Sequence, residues 1–333
     1  MQAKDFKGLY GIIPTPSKPG SQALDAKNTV ALDETERLLS NLIRDGVDAL
    51  IVLGTTGECA TISSADYKSF VDCACKTVAK RVPLFVGATA LGGHDIHDRV
   101  TFAQAQGADG TLLGLPMWQP CTVDMAVRFY SEVSAAFPKL PLMVYANARA
   151  FRFTFPTEFW ARVAASAPTV VSTKSSRPDR LAENIAATNG RIHFMPSDMV
   201  VADFYAISPE TTTACWATAA GMGPEPSKAI IDAVNAKNAE KIKYWAERIA
   251  WSIDPLSPMF SSPELFASYN IQVEKVRIEE AGYCAPGPCR PPYDVFPPDF
   301  DKASRESGRR WKQLRDELAK ELGGTAARQK ALA

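Results

Sequence analysis

Short apolar runs alternate along this chain with longer stretches in which apolar residues recur every three or four positions. Eight runs have strand character: GLYGIIPT (8–15), DALIVLG (48–54), PLFVGAT (83–89), GTLLGLP (110–116), PLMVYA (141–146), TVVSTK (169–174), RIHFMP (191–196) and TTACWA (212–217). They are apolar without clean polar alternation, the pattern of strands covered on both faces. The first gap holds DETERLLSNLIRDG (33–46). Asp33 is placed there as N-cap, with Glu36 at capping-box spacing and Gly46 as the stop. Leu38, Leu39, Leu42 and Ile43 form its apolar stripe. Further helices are expected near 62–80, 94–106, 122–136, 157–166, 178–188, 199–206 and 224–238.

Eight strands alternating with eight helices predict an α/β fold, a (β/α)8 TIM barrel over residues 1–238. An internal echo agrees: Gly46-Val-Asp48 and Gly107-Ala-Asp109 each open a strand that ends on glycine. Residues 239–333 predict a C-terminal helical extension, with helices near 239–253, 263–281 and 302–322. Between the last two, the Pro/Gly-rich segment 282–299 is expected to be irregular, and the tail GGTAARQKALA to fray.

Composition narrows the function classes. The 37 basic and 37 acidic residues balance, and no basic block suits nucleic acid or a membrane surface. No run approaches the roughly 18 apolar residues of a spanning helix. The opening MQAKDFKGLY lacks the apolar stretch of a secretory signal. Seven scattered cysteines without a CxxC pair read as reduced thiols, so the expectation is a cytoplasmic protein. No P-loop or GxGxxG appears. His94 and His97 have a metal-compatible spacing but no third ligand nearby, and read better as a solvated helix start.

In a TIM barrel, catalytic groups come from the C-terminal ends of strands and the loops after them. Lys174 closes the sixth strand, where lost hydration would expose a nucleophilic amine; a snorkelling or ion-paired lysine is the alternative. Tyr145 ends the fifth strand, either as a proton carrier or as a barrel-lining aromatic. Gly54-Thr55-Thr56-Gly57-Glu58 follows the second strand, with the backbone N–H groups and hydroxyls of a carboxylate cradle or of an ordinary turn. Glu58 reads as a cap or supporting residue. Trp118 and Trp216 are walls for an aromatic substrate or core packing.

Together, GTTGE, Tyr145 and Lys174 resemble the dihydrodipicolinate synthase / N-acetylneuraminate lyase family of class I pyruvate aldolases. GECATI (57–62), GLPMWQP (114–120), YANARAFRFTFPTEFW (145–160) and YNIQVEKVRIEEAGYCAPGPCRPPY (269–293) are similar to its hydratase-aldolase branch, which acts on trans-o-hydroxy- and trans-o-carboxybenzylidenepyruvates in naphthalene and phenanthrene degradation. The Pro-rich segment is the most specific marker. Three departures from the synthase pattern stand out. Met117-Trp118 replaces a Tyr-Tyr pair, Ala148–Arg152 replaces a Pro-x-Arg-Thr-Gly loop, and Ser175-Ser176-Arg177 follows Lys174.

The resemblance implies a homotetramer without metal or organic cofactor. Lys174 would form a Schiff base with the pyruvate unit, and Tyr145 would move protons. Thr55, Thr56 and Gly57 would hold the carboxylate. Trp118, Trp216 and Phe151 would favour an aryl group. The products would be pyruvate and an aromatic aldehyde. For the ring's ortho substituent, Arg149, Arg152 and Arg177 tilt toward carboxylate, whereas Asn270 and Trp216 would suit a hydroxyl. A sugar-acid or semialdehyde aldolase, and a silent keto-acid-binding barrel, are the competing readings.

Overall fold

The computed structural model describes residues 1–331, with the side chains of all of them except Pro263 and 321–331. Eight short parallel strands alternate with helices: β1 (Gly8–Ile12), α1 (Leu32–Arg44), β2 (Ala49–Val52), α2 (Ser64–Val78), β3 (Leu84–Gly87), α3 (Gly93–Gln106), β4 (Gly110–Leu113), α4 (Val123–Ala136), β5 (Leu142–Tyr145), α5 (Ala148–Phe151), α6 (Thr157–Ser166), β6 (Val170–Lys174), α7 (Leu181–Ala187), β7 (His193–Met195), α8 (Val201–Ile207), β8 (Ala214–Ala217) and α9 (Glu225–Asn235). The strands pair in sequence order and β1 also pairs with β8. Past the end of β7 the ring closes through a bridge from Ser197 to Trp216. This is the expected TIM barrel. Each of the eight strands falls inside an apolar run read from the sequence, because strands buried on both faces need continuous apolar composition.

The helix boundaries bring two corrections. Helix α1 begins at Leu32 with Ala31 as N-cap, so Asp33 lies in the first turn and no side chain caps the end. There its charge faces the positive pole of the helix dipole. Gly46, at φ 96°, does stop the helix. The one-turn α5 was not foreseen from the sequence. Asn147 makes it by accepting the N–H of Ala150 with its side chain.

The internal echo has a physical cause. Asp48 and Asp109 each open a strand, and each accepts a main-chain N–H from the preceding strand, Leu9 at 2.7 Å and Leu84 at 3.0 Å. Equivalent carboxylates thus tie equivalent strand pairs at the N-terminal end of the barrel. That end is plugged by rings. Phe6 packs on Tyr10, Phe85 and His193 with centroids 5.5–5.8 Å apart. These rings fill the N-terminal end of the barrel.

Beyond the barrel come α10 (Ala239–Ile253), α11 (Ser257–Phe260), α12 (Pro263–Ala281) and α13 (Pro298–Ala331). Helix α13 starts four residues before the expected 302 and runs past the expected 322. The tail GGTAARQKALA (323–333) was expected to fray; its backbone instead continues the helix to Ala331, and Leu332 and Ala333 lie outside the described residues. Helix α13 docks on the segment after β8. Trp311, fully buried, donates Nε1–H to the Gly223 carbonyl at 3.0 Å, and Arg315 donates to the Met222 carbonyl at 2.7 Å. No described helix is long and apolar enough to cross a membrane.

The Pro-rich segment between α12 and α13 folds onto the C-terminal face of the barrel. Ser17 N–H, after β1, donates to the Pro286 carbonyl at 3.0 Å. The Glu58 carboxylate, 1% exposed, receives Arg290 N–H at 2.7 Å and the Arg290 guanidinium at 2.5 Å. Lys275 of α12 reaches the same oxygen at 2.8 Å. One carboxylate thus binds the loop after β2 to α12 and to the Pro-rich segment. Removing one partner from a buried ion cluster strands the others. Glu58→Gln is expected to lower unfolding free energy by about 3–5 kcal/mol, and Arg290→Met by less, since Lys275 still balances Glu58. Urea denaturation checks this; two variants as stable as the wild type would show that the cluster does not hold the cover in place.

Candidate active site

The mouth of the barrel contains a small cavity lined by Ile12, Ile51, Gly54, Thr55, Thr56, Leu112, Tyr145, Lys174 and Thr218. Its walls are the last inward residues of the strands, so the alternation of each strand decides which side chain reaches it. In β6, register with β5 sets Lys174 directly beside Tyr145.

Lys174 is only 7% exposed. Burial pulls its amine down to about 7; the charge of Glu274 opposes the shift and that of Arg149 adds to it. Glu274 acts through charge alone, with no hydrogen bond to the amine. The nitrogen lies 3.3 Å from the centre of the Trp216 ring and 4.8 Å from that of Tyr145. The Trp216 indole N–H donates to the Ser175 carbonyl at 3.0 Å, which fixes the ring over the amine.

Tyr145 is buried, and burial raises its phenol. Its oxygen lies 2.8 Å from Thr55 Oγ1 and accepts a long hydrogen bond from Asn147 Nδ2 at 3.4 Å. Phe151 packs edge-on against it with centroids 5.4 Å apart. Phe151 was expected at the open mouth. It is instead buried behind the phenol, against Gly114, where a Cβ would come within 2.0 Å of its ring.

The loop after β2 is tightly folded. A Cβ on Gly57 would lie 2.7 Å from the Leu53 backbone, and Leu53 and Glu58 both sit at φ 57°. Thr15 Oγ1 donates to the Gly57 carbonyl at 2.7 Å. Turn hydrogen bonds run from Glu58 and Cys59 N–H back to Thr55 and Gly54 carbonyls. Among the described residues, the N–H groups of Thr56 and Gly57 donate to no protein acceptor, so they are available to an anion, while the Thr55 N–H is directed at the Tyr145 oxygen.

The remaining expected residues divide. Arg149, on α5, stacks on Phe266 of α12 with its guanidinium 4.7 Å from the ring centre. Burial lowers it slightly; Tyr145 and Arg177 are the charges that act on it, and no carboxylate is among them. Asn270 is half-buried on α12, one helical turn before Glu274 and on the same face. Trp118 is not brought to the amine. It is 76% exposed, and Arg152 donates to the Met117 and Trp118 carbonyls, which removes that arginine from the pocket. Among the described residues no three His, Cys, Asp or Glu side chains gather as a metal set.

Four polar residues near the site escaped the sequence reading: the half-buried Asn147 and the buried Asp198, Glu274 and Arg277. Asn147 carried a signal as the N-cap of a short helix after the fifth strand. Glu274 and Arg277 lie on a helix far from the barrel in sequence, and only the docking of α12 brings them near.

Comparison with known proteins agrees with this geometry. The profile of the Dihydrodipicolinate synthetase family matches residues 11–295. A trans-O-hydroxybenzylidenepyruvate hydratase-aldolase of Sphingobium xenophagum is 37% identical over 327 residues, 96% of this chain and 98% of the relative. A trans-2'-carboxybenzalpyruvate hydratase-aldolase of Nocardioides sp. (strain KP7) is 35% identical, covering 96% of each. The solved structure of PhdJ bound to substrate intermediate superposes with a TM-score of 0.92 at 32% identity, over 95% of this chain and 98% of that one. The chain belongs to the dihydrodipicolinate synthetase family.

Proposed function

We propose that this protein is a class I hydratase-aldolase, a carbon–carbon lyase of aromatic hydrocarbon catabolism. It hydrates and cleaves an ortho-substituted benzylidenepyruvate to an aromatic aldehyde and pyruvate. The observation that carries this reading is the buried Lys174 amine, free of any hydrogen-bonded carboxylate, facing the Tyr145–Thr55 pair across one cavity. The full-length hydratase-aldolase relatives support the substrate class.

In this reading the free N–H groups of Thr56 and Gly57 and the threonine hydroxyls hold the pyruvoyl carboxylate. Lys174 attacks the neighbouring ketone, and the carbinolamine loses water to give an iminium. The iminium is conjugated with the C=C bond, so water adds at the benzylic carbon and the next carbon is protonated. Tyr145 takes the proton of the new hydroxyl. The C–C bond then breaks, its electrons pass to the iminium, and the aldehyde leaves. Protonation and hydrolysis of the enamine release pyruvate and restore the amine. All of this chemistry is carried by side chains, so no cofactor is required.

Arg149 supports an ortho-carboxylate on the ring, since its guanidinium is held at the mouth by Phe266 and has no acidic partner of its own. Homotetrameric assembly also belongs to this proposal. The exposed Leu91 and Trp118, on the loops after the neighbouring strands β3 and β4, support an interface there. Seven free cysteines support a cytoplasmic setting.

Three outcomes are expected. Borohydride reduction in the presence of pyruvate should add one pyruvoyl-derived mass to Lys174. Because only the neutral amine attacks, imine formation should rise with pH through about 7 and level off above it; labelling elsewhere or not at all would remove the central step. Tyr145→Phe should still form the trapped adduct but turn over roughly 10²–10⁴ times more slowly, and near-normal turnover would assign the proton transfer elsewhere. Arg149→Ala should lower kcat/KM for the ortho-carboxy substrate by about tenfold relative to the ortho-hydroxy substrate. An unchanged ratio would show that this arginine does not read the ring.

A further inference from the structure

The recognition groups of Trp216 are already engaged inside the barrel. Its indole N–H donates to the Ser175 carbonyl at 3.0 Å, and its ring centre lies 3.3 Å from the Lys174 nitrogen. An indole has one hydrogen-bond donor, so this N–H is not free to read a hydroxyl on a substrate ring. The main chain of Trp216 is fixed as well. Its N–H donates to the Pro196 carbonyl at 2.9 Å, and its carbonyl accepts the Asp198 N–H at 3.0 Å. The Asp198 carboxylate in turn accepts from Ser227 Oγ of α9 at 2.6 Å. Ser175, which anchors the ring, donates its own N–H to the Met195 carbonyl at 2.8 Å, and Met195 is the register partner of Lys174 in β7. Ring, anchor and amine therefore belong to one closed set of strand ends.

The amine has little else to touch. It is 7% exposed, and among the described residues no carboxylate or carbonyl hydrogen-bonds to it. From β5, the Tyr145 ring stands 4.8 Å away. The β7 partner Met195 carries no charge, and Asp198 beyond it is occupied by Ser227. Glu274 of α12 and Arg149 of α5, itself under the charge of Arg177, act on the nitrogen by charge and with opposite signs. The contact at 3.3 Å is well inside the roughly 6 Å over which a ring face attracts a cation, and that attraction is strongest for indole and for a desolvated charge.

We propose that Trp216 is a catalytic residue that binds the positive charge of Lys174: its indole face is the group in contact with that nitrogen when it is cationic, first as ammonium and then as iminium. The iminium half rests on the aldolase reading; the ammonium half does not. The ring is held before any substrate arrives, so it stabilises the cation without reorganising. This assigns Trp216 to the amine and leaves the substituent of the substrate ring to other residues. The role belongs to the charge distribution of the indole face, whereas a ring that served only as a wall would act through its size.

Fluorination separates the two, because it drains the negative face of the indole while nearly preserving its shape. The full chain is produced with tryptophan, 5-fluorotryptophan or 5,7-difluorotryptophan and with 13C at lysine Cε. The Lys174 signal, assigned by its absence in Lys174→Arg, is followed by NMR against pH. Its midpoint should lie near 7 with ordinary tryptophan. It should fall by about 0.3 pH unit with one fluorine and about 0.6 with two, roughly twofold and fourfold in the charge equilibrium. A midpoint that stays in place or rises along the series overturns the proposal, as a wall of unchanged size would leave it there. The chain has six tryptophans, so the series is repeated in Trp216→Phe, where only the other five carry fluorine. The midpoint of that variant should not respond to fluorine; an equal fall would give the effect to another tryptophan and overturn the proposal. Should Trp216→Phe fail to fold, the series in the wild type decides alone. Borohydride trapping of the unfluorinated protein with pyruvate runs alongside. Failure there would remove the aldolase reading and leave the titration result standing.

Discussion

The buried Glu58 carboxylate is the constraint on which the rest of this site depends. It sits in the turn that carries Thr55 and Thr56, in a left-handed conformation that a glutamate adopts only under constraint. Arg290 and Lys275 hold it there, and both come from beyond the eighth strand. The same contact therefore sets the shape of the turn and closes the C-terminal segment over the barrel. Arg290 also donates to Thr29 at 2.8 Å, and Thr29 donates to Asp66, so the charges of the cluster are matched down to the start of α2. Such a cluster adds little net stability over apolar packing, but it is intolerant of alternative arrangements. That is a property a catalytic loop can use.

Once the cover is in place, the desolvation of Lys174 follows. Aromatic rings plug the barrel from below, and α12 lies across it from above. The amine is left with two aromatic faces and no hydrogen-bonded carboxylate, so it loses its proton near neutrality. The lowered basicity of this amine is thus a consequence of packing as much as of the lysine itself. Phe151 plays a comparable part for Tyr145. By filling the space over Gly114 it fixes the phenol toward Thr55, and the two hydroxyls can exchange a proton across 2.8 Å.

The barrel was legible because its strands are buried on both faces and its helices on one, which leaves two distinct periodicities in the sequence. Lys174, Tyr145 and the Thr55–Gly57 turn could be picked out because each ends a strand or follows one, where barrels keep their chemistry. The start of α1 was misread because Asp33 matches the residue type of a cap, while the chain actually enters the helix at Ala31 with only backbone capping. Trp118 was placed at the mouth on sequence proximity to β4, but the turn carries its ring outward. Glu274, Arg277 and Asp198 were out of reach for a different reason. They come together through the docking of α12 over the closing strands, a contact between segments more than 45 residues apart, which no local pattern records. The Pro-rich segment lies between these cases. It stood out as a marker, and Arg290 within it gives that marker a physical meaning.

In the proposed reaction, the same burial that exposes the amine of Lys174 penalises the iminium it would become. Water would stabilise that cation, and water is largely absent. The offset has to come from groups already in place. The Trp216 ring lies 3.3 Å from the nitrogen, with its face held there by the Ser175 carbonyl, and an indole face attracts a desolvated cation more strongly than any other side-chain ring. The Tyr145 ring lies 4.8 Å away on another side. A substrate carboxylate in the Thr55–Gly57 turn would add a full negative charge close to the nitrogen, and it would arrive only with the substrate. The resting site therefore favours the neutral nucleophile, and the occupied site favours the cation. A lysine paired permanently with a carboxylate would have the opposite bias, charged and unreactive before binding. In the proposed reaction, the absence of a hydrogen-bonded acid at Lys174 keeps the resting amine available for attack.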